Sequence, residues 1–203
     1  AESLGLIGER DGSLCEDHGI EVIRSPQTLD WYYDPNNHWK RFCDQSTVRC
    51  WSADGDYGQH VSINVEGVSQ LAIAKAIVFI HHNKLLCETI AGRGANTYNV
   101  YKELKVTSAR NQAQDKYCAT NWNPRQNRLE FRIFRANRLW QGFCKNVEFT
   151  HAVVSFAEQS SNRKLSSTHF WNYVESNPLR KVKGSYPNLT QFIKADASEH
   201  DRY

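Results

Sequence analysis

The stretch "RLEFRIFRANRLW", residues 128–140, constrains the fold more than any other part of this chain. Read as an extended strand, it places Leu129, Phe131 and Ile133 on one face and Arg128, Glu130, Arg132 and Phe134 on the other. Such a strand buries its apolar face against helices. Its charged face then points to solvent or floors a pocket. Arg135 joins that charged face only if the strand ends or bulges near Phe134.

Neighbouring segments repeat the pattern. In "QHVSINV" (59–65), Val61, Ile63 and Val65 share one face, and His60, Ser62 and Asn64 share the other. In "KYCATNW" (116–122), Tyr117, Ala119 and Asn121 fall together, and in "IEVIR" (20–24) Glu21 opposes Ile20 and Val22. "NPRQN" reads as the hairpin turn between the 116–122 and 128–135 strands. Ser69 opens a helix predicted to run to about residue 91, ended by Gly92 and Gly94. Thr28 caps a helix at "LDWYY" that Pro35 interrupts and "NNHWKRFCDQ" resumes. Further helices are predicted over 140–158, over 168–176 with Thr168 as cap, and over 188–195 after Pro187. Residues 93–114 read as a polar loop or flap with a short strand near 99–106. Mixed elements without strict βαβ alternation predict an α+β fold with a mainly antiparallel sheet, in one domain spanning 1–203.

A sheet with one wet face is common, and such a face usually carries Lys, Thr, Ser and Glu without preference. This one carries His60, Glu130, Arg132, Tyr117 and Asn121, with Glu21 on its own strand. Carboxylate and imidazole are ligands for divalent cations, and guanidinium grips phosphate or carboxylate oxygens.

Composition narrows the classes. The 203 residues, 40% hydrophobic and 12% aromatic, suffice for one core. A net charge of +3 without long like-charged runs makes no electrostatic case for nucleic acid, and the cluster Arg180, Lys181, Lys183 reads as a solvated loop. The longest apolar run, "LAIAKAIVFI" (71–80), contains Lys75 and falls short of the roughly 20 residues of a membrane span. No membrane partner is therefore expected. The six cysteines (15, 43, 50, 87, 118, 144) form no C-x-x-C pair and read as reduced, mostly buried thiols of a cytoplasmic protein. "NLT" (188–190) fits a glycosylation acceptor, with nothing else pointing to secretion. No methionine occurs, and the encoded start is expected upstream of Ala1. His81 and His82, adjacent on a helix, are read as surface residues that cannot face one ligand together.

Four blocks in order resemble one family: "RDGSLCEDHGIEVIRSPQTLDW" (10–31), "YGQHVSINV" (57–65), "KYCATNWNPRQNRLEFRIFRANRLWQGFCKNVEF" (116–149) and "FWNYVESNPLRKVKGSYPNLTQFI" (170–193). They look like the phage-type putative amidoligases, carboxylate–amine ligases related to glutamine synthetase and glutamate–cysteine ligase. The resemblance implies a glutamine-synthetase-like curved antiparallel sheet, with helices on its apolar face and ATP and Mg2+ (or Mn2+) on its concave face. It implies a reaction in which ATP phosphorylates a carboxylate and an amine displaces the phosphate to give an amide. Carried over by motif, Glu130, His60 and Glu21 are candidate metal ligands. Arg132 and Arg135 are candidate catalytic clamps on phosphate, with His60 a further phosphate contact, and Tyr117, Asn121 and Glu21 line the substrate side. Asp11 shapes its turn.

Two departures from the family's pattern keep other readings open. The family's H-x-H is here His60-Val61-Ser62, and no E-x-E strand precedes "DGSL", since Glu2 and Glu9 have the wrong spacing. That strand is either missing from this chain or lost. The first alternative is accordingly a non-catalytic descendant, a binding or virion-associated protein. The second is a nucleic-acid-binding protein using Trp122, Arg125, Trp140 and the 180–183 cluster as stacking and cationic groups. Small-molecule or peptide substrates are expected under the leading reading, with a homo-oligomer as one way to complete the cleft.

Overall fold

The computed structural model describes residues 6–10, 20–23, 25–48, 57–176 and 186–200. The "DGSL" turn with Asp11, Cys15, Cys50 and the basic cluster 180–183 lie outside them. The fold is α+β. Strands β1 (Ile7–Arg10) and β2 (Ile20–Ile23) form an antiparallel pair. Strands β3 (Gly58–Asn64), β4 (Thr120–Asn123) and β5 (Arg128–Arg135) form a separate antiparallel sheet in the order β3-β5-β4.

The helices are α1 (His38–Val48), α2 (Gln70–His82), α3 (Lys84–Ala91), α4 (Ala109–Gln112), α5 (Trp140–Gln159), α6 (Ser167–Ser176) and α7 (Pro187–His200). A 3-10 turn at Asp30–Tyr33 precedes α1. No helix among the described residues is long and apolar enough to cross a membrane.

Helix α2 is buried from Ala72 to His81, which is why "LAIAKAIVFI" reads as continuous rather than amphipathic. Its one charged residue there, Lys75, extends to donate to the Ser160 carbonyl at 2.6 Å. A chain of rings links sheet to helices. Phe134 of β5 meets Phe149 of α5 edge-on, Phe149 meets Phe170 of α6, and Phe170 meets Phe79 of α2. A second ring series joins Tyr32, Trp140, Phe143 and Trp39, tying the 3-10 turn and α1 to the start of α5.

Local signals hold where side chains cap backbone. Ser69 accepts from Ala72 N–H at 3.1 Å, and Gly92 ends α3 in the left-handed region at φ 63°. Asn37 receives Lys40 N–H at 2.8 Å and so opens α1 after the Pro35 interruption.

Several expectations need correction. Thr168 lies within α6, and it is Ser166 Oγ that accepts from His169 N–H, at 3.4 Å. The helix predicted over 69–91 is two helices. Asn83 leaves helical geometry (φ −107°, ψ 46°) and its side-chain amide donates to the Phe79 and Leu165 carbonyls. Strand β4 starts at Thr120, not 116, because Asp115 holds a turn through Tyr117 N–H at 2.9 Å. Ahead of it, Val100 bridges Cys118 in parallel. His81 is not a surface residue, being only 5% exposed. Its Nδ1 accepts from Lys102 N–H at 2.9 Å, so Nε2 carries the proton toward Thr120 Oγ1 at 3.1 Å. The ring thus ties α2 to β4 and to the segment before α4.

Glu148, in the middle of α5, is fully buried. Its carboxylate accepts from Tyr33 Oη at 3.1 Å, Asn188 Nδ2 at 2.6 Å and Leu189 N–H at 2.8 Å. Asn188, the first residue of the "NLT" match, is thus a structural partner near the N-terminus of α7. Burial pushes the Glu148 pKa up while these donors pull it down. The described cysteines 43, 87, 118 and 144 are all buried thiols, and burial pushes the Cys43 thiol up to about 12.

Two outcomes follow from these buried groups. Glu148→Ala strands three donors and should cost about 3 kcal/mol in urea unfolding; a loss below about 1 kcal/mol would contradict the network. Burial, with Lys102 and His82 close by, pushes the His81 pKa from 6.5 to about 4. The folded state therefore holds a neutral ring, and the unfolded chain binds the extra proton. Stability is fully present above pH 6.5 and declines as pH falls toward 4, by roughly 3 kcal/mol. His81→Gln should flatten unfolding free energy across that window, and an unchanged slope would refute the assignment.

Candidate functional site

Strand β5 sets the site because it is central and two-faced. Leu129 lies opposite Ile63 and Trp122, and Phe131 opposite Val61 and Thr120, all on the helix side. The other face carries two cross-strand rows, Asn64–Arg128–Asn123 and Ser62–Glu130–Asn121. Between Val61 and Gln59 the register jumps from Phe131 to Phe134, so Arg132 and Ile133 together oppose the single residue His60. This is a β-bulge.

The bulge corrects the strict alternation expected for 128–135. Phe134 turns to the helix side, where it is fully buried against Phe149. Its cross-strand partner Gln59 likewise faces α5 and accepts from Asn146 Nδ2 at 2.8 Å. Arg135 is thereby returned to the polar face, exposed and opposite Gly58. The condition for Arg135 to join that face is met, one residue earlier than expected.

The polar groups converge. Glu130 Oε2 lies 3.2 Å from Arg132 Nη1 and accepts from Asn121 Nδ2 at 3.4 Å. Glu130 Oε1 lies 3.8 Å from His60 Nδ1, which stands 3.5 Å from Arg132 Nη1. Three strands thus bring His60, Asn121, Glu130 and Arg132 into one cluster. The Nε atoms of Arg128 and Arg132 are buried and have no hydrogen-bond partner among the described residues. A buried guanidinium donor without an acceptor is costly unless something else supplies one.

One member of the face escapes the sequence reading. Arg93 follows the Gly92 cap of α3, and its Nη1 donates to the Phe134 carbonyl at 3.4 Å. A Cβ added to Gly58 would lie 2.7 Å from Arg93 Nη1 and 3.5 Å from His60 Nε2. Gly58 therefore leaves room for a guanidinium carried in from another element. The one sequence signal is an arginine just past a helix-ending glycine, which is not specific.

Other predicted residues stand elsewhere. Tyr117 is 43% exposed in the turn before β4, its ring 6.0 Å from that of Tyr98 and 5.1 Å from Lys116 Nζ. Glu21 is exposed on β2, directly opposite Glu9 of β1. That pair belongs to a sheet separate from the one that carries Glu130. Trp122 is a core residue and is not free to stack a base, and Trp140 sits in the ring series beside α1.

Among the described residues no group of three His, Cys, Asp or Glu side chains is placed to hold a metal ion. Glu130 and His60 offer one carboxylate and one imidazole. Magnesium is commonly bound through one or two carboxylates, with phosphates and waters completing its shell. One carboxylate and one imidazole, the carboxylate already engaged by Arg132 and Asn121, do not form a metal cage of protein groups.

No family model matches the chain, and searches against curated proteins and solved structures found no match.

The Glu130 and Arg132 side chains are only 12% and 15% exposed. A double-mutant cycle of Glu130→Gln and Arg132→Gln should give a coupling of about 1–2 kcal/mol, above that of a surface pair. Additive effects would show that the contact is energetically idle.

Proposed function

We propose that the chain is an ATP-dependent carboxylate–amine ligase whose nucleotide phosphates lie on the polar face of β3-β5-β4. The observation that carries this reading is the convergence of His60, Asn121, Glu130 and Arg132 from three strands into one cluster. The same strand face carries three arginines, Arg128, Arg132 and Arg135, against one carboxylate, Glu130, a balance that favours an anionic ligand there. A face serving only as a wet surface has no need to bury guanidinium Nε atoms.

Under this reading the described strands belong to a glutamine-synthetase-like curved sheet. Arg132 and Arg135 grip phosphoryl oxygens and offset charge that develops during transfer. Asn121 orients Glu130, and Glu130 would hold the cation. When bound, that cation neutralises phosphate oxygens and favours attack by a carboxylate. His60 provides a hydrogen-bonding group beside both. Tyr117, in the solvent-open turn before β4, contacts the carboxylate or amine substrate, a small molecule or a peptide.

Calorimetry with ATP and magnesium tests the reading. Wild-type protein should bind, and Glu130→Gln should weaken ATP·Mg by about tenfold or more while changing magnesium-free ATP binding far less. Absence of any ATP binding, with or without magnesium, would overturn the proposal.

A further inference from the structure

We infer that Arg128, flanked by Asn64 and Asn123, forms a binding site for the carboxylate of a small molecule. The site lies one row along the polar face from the Glu130 cluster. It goes beyond the nucleotide reading, since it needs neither phosphate nor cation.

Strand register builds the site. Arg128 is the first residue of β5 and stands directly opposite Asn64 of β3 and Asn123 of β4. Side chains facing each other across paired strands start about 5 Å apart, so the three form one continuous row. The row is pinned where the hairpin closes. Val65 N–H donates to the Asn127 carbonyl at 2.8 Å, and Asn127 turns the chain in the left-handed region at φ 46°.

Each member has a defined polarity. Arg128 is half-buried, and its Nε is buried without an acceptor. Unlike Arg132, which pairs with Glu130, its guanidinium has no ion pair and no hydrogen bond among the described residues. A donor left in that state costs free energy that a bound acceptor recovers. Asn64 Oδ1 accepts from Glu66 N–H at 2.9 Å, which turns the carboxamide so that Nδ2 remains as its donor. On the other side Asn123 is held by Gln126, its Nδ2 donating to Oε1 at 3.1 Å.

A carboxylate suits this set in shape and charge. Its two oxygens match the planar guanidinium fork, and the Asn64 amide adds a further donor beside it. One cation between two neutral amides balances one negative charge, not the two of a phosphate dianion. Glu130, roughly 7 Å along the strand, is already offset by Arg132 at 3.2 Å and does not cancel Arg128.

The test follows arginine Nε–H and asparagine side-chain amide resonances of the full chain during titration with acetate, acetamide and inorganic phosphate. Arg128 and Asn64 should shift together with acetate on one saturation curve. Its midpoint should lie about tenfold or more below that of Arg125, which is exposed on the hairpin turn and outside the row. Acetamide, with the same shape and no charge, should shift neither. Arg128→Gln should weaken acetate at the Asn64 amide by about tenfold or more, and Arg128→Lys, which keeps the charge and loses the fork, should weaken it less.

Equal acetate midpoints at Arg128 and Arg125 would make the row ordinary surface and overturn the inference. Phosphate binding tighter than acetate would overturn the carboxylate assignment. Should Arg128→Gln not fold, Asn64→Ala decides, with a loss of severalfold expected at Arg128 Nε–H and no loss contradicting the site. Failure here leaves ATP binding at the Glu130 cluster untouched, and failure of ATP binding leaves the acetate result standing.

Discussion

Burial of one face of β5 is the constraint on which the rest depends. Leu129, Phe131, Ile133 and Phe134 are all fully buried; Leu129 and Phe131 face Ile63 and Val61 across the sheet, and Phe134 meets Phe149 of α5. A strand with that much apolar area facing helices cannot slip by one residue, because slippage would exchange the buried and polar faces. Fully burying one such side chain is worth about 2 kcal/mol, so four of them outweigh the cost of desolvating a partly exposed Arg132 and Glu130 pair. The polar cluster is therefore a consequence of how the core fixes the strand.

Within that constraint, the bulge opposite His60 does the fine positioning. It sends Phe134 inward to join the ring series through Phe149, Phe170 and Phe79, and it releases Arg135 outward. The same local irregularity thus serves packing on one side and charge placement on the other. His81 and Glu148 act at the periphery of this arrangement. The first pins α2 to β4, and the second pins the 3-10 turn and the start of α7 to α5. Both are buried polar groups with their partners supplied, which gives the helical layer a defined arrangement over the sheet.

Much of this is legible in the sequence because it is local. Period-two alternation locates the faces of β3 and β5, and the strand bounds 128–135 and the helix over 140–158 fall within a residue of those observed. Ser69, Gly92 and Pro35 act as punctuation for mechanical reasons that hold in isolation. What escapes is set by contacts distant in sequence. Arg93 meets Phe134 across 41 positions, and nothing near residue 93 announces Gly58 as its neighbour. His81 reads as a helix-surface residue because its partners, Thr120 and Lys102, lie on other elements. The break at Asn83 depends in part on a carbonyl at Leu165. Period-two alternation puts Glu130 and His60 on polar strand faces, while their placement beside Asn121 and Arg132 is a property of the fold.

Nuclear magnetic resonance of the arginine Nε–H groups and histidine side chains during ATP titration tests the central claim most directly. If the polar face of β3 and β5 cradles the phosphates, resonances of Arg132 and His60 move together with one saturation curve, and those of the buried His81 stay in place. Shifts confined to residues away from β3 and β5, or ATP saturation that leaves His60 and Arg132 unmoved, would contradict it.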